Sequence, residues 1–310
     1  MAEEVFGRFI MVIKNVLNKI KPYIPPIIEI VVKKNIRHTL SGDIKSNLKK
    51  NLRFKDLHAG ERCFILATGP SILKQDLTKL KDEICISVGQ FYLHPDCKII
   101  KPSYHVEAPV HEPFDFEYHK KFFPEATKSL SEDVEIFLGI SKYKYSFEKY
   151  LNQNNLDAFQ KKINYINYSG TMQLDESNCN NSDTWDITKT PFLPRTVVYT
   201  AIQIAVFMGF SEIYLLGCDH DYLKLYFNSS LDEHHFYKQK DSLLHSTGHE
   251  DLAGIKLEQW FREYYYRWKQ YRIMSECLAS SGQRIFNATE GGILDVFPRI
   301  NFENLVNVRK

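Results

Sequence analysis

The feature that most constrains this 310-residue chain is the run from residue 63 to residue 71. Cys63, Phe64, Ile65 and Leu66 pass without a polar break into a turn of small residues, Ala67, Thr68, Gly69, Pro70 and Ser71. An apolar run with no alternation fits a strand covered on both faces, as in a parallel sheet. Residues 73–80 then read as a helix. A strand feeding a tight turn at a helix start gathers backbone N–H groups, and the helix dipole there favours an anion. Gly69 lets a ligand approach the backbone, and Ser71 caps the helix or donates to a phosphate. Simple strand-to-helix punctuation is the competing reading. The turn has neither Walker A nor GxGxxG spacing.

The same rhythm recurs downstream. Strands are expected at residues 84–88, 104–107 and 134–138. Gly89, Gln90, Phe91 and Tyr92 leave the first of these directly. This is the β–α–β order of a Rossmann-like α/β fold, a parallel sheet with helices on both faces. Ligands in such folds lie outside the carboxyl ends of the strands. Residues 68–71, 89–92 and 107–111 are therefore expected to share one crevice.

Residues 141–190 are rich in Lys, Tyr, Asn and Ser and poor in periodicity, and read as a lid-like insertion. Order returns at Arg195. Residues 197–208 form an apolar helix, with Pro194 ahead of it and Gly209 at its end. A buried strand at 213–216 releases Gly217, Cys218, Asp219, His220, Asp221 and Tyr222. Residues 223–250 form a second lid-like loop with His234, His235, His245 and His249. A long helix at 252–281 carries Trp260, Tyr264, Tyr265, Trp268 and Tyr271, with a final strand at 284–287.

Residues 1–55 differ in composition, with twelve Lys or Arg against four Asp or Glu. Val5, Phe9, Val12, Ile13, Val16, Leu17 and Ile20 form one helical stripe. Pro22, Pro25 and Pro26 end it. A second apolar run, 27–32, follows. Neither run is long enough to span a bilayer, and no cleavage site follows the first. Two readings stand: a basic amphipathic segment on an anionic membrane, or a helix packed on the catalytic domain or in a dimer contact. The catalytic domain is expected over residues 56–310.

The formal net charge of +2 gives no bulk field for nucleic acid. The six cysteines show no CxxC spacing, so neither a zinc site nor a disulfide is expected, and a reducing cytoplasm fits. Cys179, in a polar run, is not expected in the core.

Two carboxylates, an imidazole and a phenol at 219–222 make the chemically densest point. Asp219 and Asp221 hold a cation, or Asp219 orients backbone or ribose hydroxyls while Tyr222 faces a leaving phosphate. His249, ahead of the long helix, suits a general base. Arg195 either clamps a phosphate or carboxylate, or pairs with an acidic residue at a helix end.

These pieces occur in a familiar order. Residues 65–72 resemble the "GNGPSL" segment of the bacterial family forty-two sialyltransferases. They also resemble the wider group of motility accessory factors and hydroxymethylpterin-pyrophosphokinase-like proteins. Gly89, Gln90, Phe91 and Tyr92 are similar to "NQFYF", with Gly89 in place of asparagine, and Thr68 replaces the asparagine of "GNGPS". Residues 195–199 and 209–219 are similar to "ITSGVY…LGYKEIYLSGIDF". Thr247, Gly248 and His249 resemble the "IGH" of the general-base histidine. Residues 287–292 are closer to the motility-accessory group.

The resemblance implies an inverting, metal-independent glycosyltransferase that needs no cofactor and uses a CMP-activated sialic or other nonulosonic acid. By carry-over, His249 is the base and Tyr222 and Arg195 stabilise the departing phosphate. Thr68, Gly69, Pro70, Ser71, Gly89, Gln90, Thr196, Gly217 and Asp219 hold the nucleotide. The acceptor is a surface polysaccharide or lipooligosaccharide, a glycan or glycolipid met at the inner face of the cytoplasmic membrane. A homo-oligomer is compatible with the sequence. The alternative is an ATP-dependent, Mg2+-requiring 6-hydroxymethylpterin pyrophosphokinase-like enzyme, with Asp219 and Asp221 as the carboxylate pair.

Overall fold

The computed structural model describes residues 42–111, 114–154, 162–170, 172–224, 235–237 and 256–307. The chain divides into Met1–Ser41 and Gly42–Lys310, and the second unit carries the fold described here. The readings of residues 5–20 and 27–32, and of His234, His245 and His249, fall outside the described residues.

Seven strands form one parallel sheet: β1 (Arg62–Leu66), β2 (Cys85–Val88), β3 (Tyr104–Glu107), β4 (Glu135–Ile140), β5 (Ile163–Asn167), β6 (Glu212–Leu216) and β7 (Arg284–Asn287). Their order is β5-β4-β3-β2-β1-β6-β7, with every pair parallel. The chain lays strands outward from β1 to β5, then returns to place β6 on the free side of β1. The switch point therefore lies between β1 and β6.

Alternate side chains of β1 feed the two cores. Cys63 and Ile65 pack under α6 (Val197–Phe207) and α7 (Leu257–Ser280). Phe64 and Leu66 pack with α3 (Phe116–Ser129) and α4 (Phe147–Asn154). Nine residues of α6 are buried, including Ile202 and Ile204, as its apolar sequence requires. Thr196 caps its first turn, accepting from Val198 N at 3.4 Å. The remaining helices are short: α2 (Cys97–Ile100), α5 (Ser182–Trp185) and α8 (Phe302–Val306).

Four expectations change. The helix expected over 73–80 is two 3-10 turns, Pro70–Lys74 and Leu77–Leu80. Gln75 between them is extended (φ −113°, ψ 136°), its amide donates to Ala288 O at 2.9 Å, and Asp76 caps the second turn. A helix dipole after β1 is thereby removed. The stretch 141–190 supplies α4 and β5, an edge strand whose asparagines mask the usual apolar signature. Residues of the basic start also belong with the sheet: after α1 (Gly42–Lys49), Phe54 is buried and Asn51 Nδ2 donates to Tyr165 O and Ile187 O at 2.8 and 2.9 Å.

The fourth change concerns sulfur. Cys179 and Cys277 form a disulfide across a sequence separation of 98, with Cα atoms 6.2 Å apart. Chain spacing carries no information about that proximity. Cys179 is buried with the α6–α7 core.

Candidate functional site

Loops leaving β1, β2 and β6 meet the first turn of α6 around a cavity of about 120 Å³. Thr68, Gly69, Thr196, Gly217, Asp219 and Tyr222, all singled out from the sequence, line it together with Val88, His220, Asp221 and His235. A larger cavity of about 560 Å³ lies beside the disulfide, lined by Lys55, Asp56, Cys179, Phe207 and Cys277. None of the predicted site residues lines it, and it lies at the far end of α6 from Thr196.

The first wall is a close approach of two backbones. Gly69 N donates to Gly217 O at 2.9 Å. A Cβ on Gly69 would lie 1.9 Å from Asp219 Oδ2 and 2.4 Å from Gly217 O, so only glycine fits. Ser71 Oγ donates to Asp219 Oδ2 at 2.8 Å, and Ile293 N donates to Asp219 O at 2.9 Å. Burial pushes the Asp219 carboxyl up; the Ser71 bond opposes this and repulsion from Asp221 adds to it. Asp219 is thus a buried group suited to hydroxyl partners. Asp221 is paired with Lys224, Oδ2 to Nζ, at 2.5 Å.

The roof comes from residues 235–237. Phe236 N donates to Thr68 O at 3.0 Å, and His235 Nδ1 lies 2.9 Å from Thr68 Oγ1. Gly89 and Gln90 sit in the 3-10 turn Gly89–Leu93 that leaves β2, with Gln90 buried. Gly89 has φ +54° and open space around its missing Cβ. Backbone freedom, not room, is what that position requires, and asparagine satisfies it nearly as well. Pro70 opens the turn Pro70–Lys74 beside Gly69.

Two arginines flank the site and differ. Arg195 Nη1 pairs with Glu263 Oε2 at 2.8 Å and its guanidinium lies over the Tyr266 ring at 4.8 Å. It is not among the lining residues. Arg267, from α7, lies over the Tyr222 ring at 5.3 Å and the Tyr264 ring at 5.8 Å. Both arginines have a buried Nε without a hydrogen bond among the described residues, but only Arg195 has a carboxylate there. Burial raises the Tyr222 phenol pKa, with Arg267 opposing.

The sequence places His220 in the dense 219–222 run but gives it no role of its own. It lines the cavity, is 4% exposed and holds a left-handed backbone, φ +50°. Its Nε2 is 2.8 Å from Tyr271 Oη. Burial first, then Arg267, lowers its pKa to about 3, so the ring is neutral. The signal that could have found it is the 264, 267, 271 spacing on α7, which sets three side chains on one helical face.

A serine–histidine–glutamate line also occurs: His105 Nδ1 lies 2.8 Å from Ser87 Oγ and its Nε2 3.3 Å from Glu107 Oε1. Ser87 and His105 are fully buried inside β2 and β3, so no substrate reaches the hydroxyl. It is a buried polar network.

A Rossmann-like parallel sheet with a cavity at its switch point defines the class: an α/β protein of the kind in which ligands lie outside the carboxyl ends of the strands. The chain belongs to the MptE-like family, described as 6-hydroxymethylpterin diphosphokinase MptE-like, whose model matches residues 42–224. That match contains β1 to β6 and the whole 217–222 turn and stops before α7. Among curated proteins no sequence matches this chain. No described helix is long and apolar enough to cross a membrane.

Proposed function

We propose that this protein is a transferase acting on a nucleotide-activated donor, whose phosphate lies between the β1 and β6 loops and the start of α6. The observation that carries this reading is the convergence of Thr68, Gly69, Thr196, Gly217, Asp219 and Tyr222 on one cavity. Ser71 and Asp219 suit hydroxyl recognition on the ribose. The α6 N-terminus and the Tyr222 phenol suit the charge that grows on a departing phosphate.

In its finer form the donor is a CMP-activated sialic or related nonulosonic acid, and the acceptor a hydroxyl of a surface glycan or glycolipid. The acceptor oxygen attacks the anomeric carbon as the bond to phosphate breaks, its proton passes to a base, and CMP leaves. His249 is the carry-over base and lies outside the described residues.

A second reading, diphosphoryl transfer from ATP to a pterin, is favoured by the family description. Its magnesium would fall to Asp219 and Asp221. That pair fits poorly, because Asp219 accepts from Ser71 and Asp221 is held by Lys224.

Melting curves with CMP, CDP, UDP, GDP and ATP, followed by turnover of CMP-sialic acid with and without chelator, test the two. The donor reading expects a CMP shift and chelator-resistant release of CMP. An ATP shift with magnesium-dependent AMP release from ATP plus pterin would replace it with the second.

A further inference from the structure

We propose that His220 is the neutral hydrogen-bond donor that holds a phosphate oxygen in this cavity, through its Nδ1–H. The proposal rests on the reading of the cavity as a phosphate site and names the group that recognises the anion.

The tautomer follows from the partners. Tyr271 is fully buried, and its hydroxyl lies 2.8 Å from His220 Nε2. Burial holds that phenol protonated, and a buried hydroxyl donates where it can. Nε2 therefore accepts, and the ring proton sits on Nδ1. Nδ1 is itself buried and has no hydrogen-bond partner among the described residues. A buried N–H with no protein acceptor, on a ring that lines a cavity, calls for an acceptor from a ligand.

The ring is also held at a cost. A positive φ on a residue with a β-carbon persists only where its surroundings impose it. Here α7 imposes it. Tyr264 Oη donates to His220 O at 2.9 Å and accepts from Leu223 N at 2.7 Å, while Tyr271 fixes the ring. Trp268 packs edge-on at 6.1 Å.

The surrounding charge favours an anion. Arg267 brings a guanidinium with no carboxylate partner among the described residues to the rings of Tyr222 and Tyr264. The α6 N-terminus borders the same cavity. Against these stand Asp219, whose carboxyl is pushed up, and Asp221, which is paired with Lys224. A neutral donor suits such a site, since it keeps one proton at Nδ1 across the physiological range.

Two substitutions separate the two ring nitrogens. His220→Gln places an amide near Nε2, keeping a partner for Tyr271 and withdrawing the Nδ1 donor. His220→Asn places an amide near Nδ1 and withdraws the Tyr271 partner. The wild type and both variants are titrated calorimetrically with inorganic pyrophosphate, CMP and cytidine.

His220→Gln is expected to weaken pyrophosphate and CMP by about tenfold or more, the loss of one hydrogen bond to a charged group. Cytidine binding stays level. His220→Asn is expected to keep pyrophosphate affinity close to wild type. Nitrogen-15 NMR of wild-type histidine is expected to report an Nδ1–H tautomer, a reading that stands even if a variant fails to fold.

Unchanged pyrophosphate binding in His220→Gln, an equal loss for cytidine, an Nε2–H tautomer, or a wild type that takes neither anion overturns the proposal. Failure to turn over CMP-sialic acid while pyrophosphate binding still depends on His220 overturns the donor reading alone.

Discussion

Two buried histidines show how differently the two halves of this sheet are used. His220 stands at the switch point between β1 and β6, tied to Tyr271, beside Arg267 and a cavity. His119 stands on α3, beneath the far half of the sheet, with Phe147 at 4.6 Å, Tyr150 at 5.1 Å and Phe116 at 5.7 Å. Burial lowers both pKa values, to about 3 and about 4. The shift alone therefore identifies neither as functional. What separates them is company: hydrogen bonds, strained backbone and a guanidinium without a carboxylate partner among the described residues around one, aromatic faces around the other.

The largest way to sharpen this contrast is to open a hole in the aromatic half. Phe122 is fully buried and touches Tyr92, Phe123 and Phe147. Phe122→Ala is expected to cost about 3–5 kcal/mol in urea unfolding. Affinity for CMP, measured below the transition, should hold.

Gly69→Ala tests the other half. Its Cβ would meet the Gly217 carbonyl at 2.4 Å, so the β1 and β6 loops must part. The expected cost is about 1–3 kcal/mol. A loss of nucleotide affinity of roughly tenfold, about 1.4 kcal/mol of binding energy, should accompany it. A stable Gly69→Ala protein with undiminished affinity would break the claim that ligand sits between these loops.

The smallest effect is acid sensitivity, shared by both halves. Each folded pKa lies below the unfolded value of about 6.5, so below that pH the unfolded chain takes protons that the folded one refuses. Stability is expected to fall by about 1.4 kcal/mol per pH unit for each histidine. The loss continues to about pH 4 for His119 and about pH 3 for His220. At pH 5.5 that is about 1 kcal/mol each. Denaturant midpoints at pH 7, 5.5 and 4.5 should show one proton less of slope in His119→Gln and in His220→Gln, while only the second alters anion binding.

Much of the sheet was legible because β1, β2 and β6 are short, mostly apolar runs that pass directly into Ala67, Gly89 and Gly217. β5 was not, since Asn164 and Asn167 interrupt its apolar alternation. The helix expected after β1 failed locally: Pro70 and Asp76 each start a new turn, and the extended Gln75 parts them.

At the site, the strand-end residues were legible because parallel topology brings carboxyl ends together. The partners from α7 were not. Tyr264, Arg267 and Tyr271 are remote in sequence from residues 217–222, and an aromatic, basic helix reads equally as a solvated face. Gly89 is the instructive departure from the resembled "NQFYF". Its backbone angle is one that glycine and asparagine tolerate, so the turn is open to the exchange.

The Cys179–Cys277 bridge has a consequence for the imidazole at the switch point. Tyr271 lies six residues before Cys277, under two helical turns, so the hydroxyl that orients the ring is covalently moored to the segment leading into α6. A single peptide cleavage anywhere between the two sulfurs would leave both fragments travelling as one molecule, and only a thiol reagent would release them.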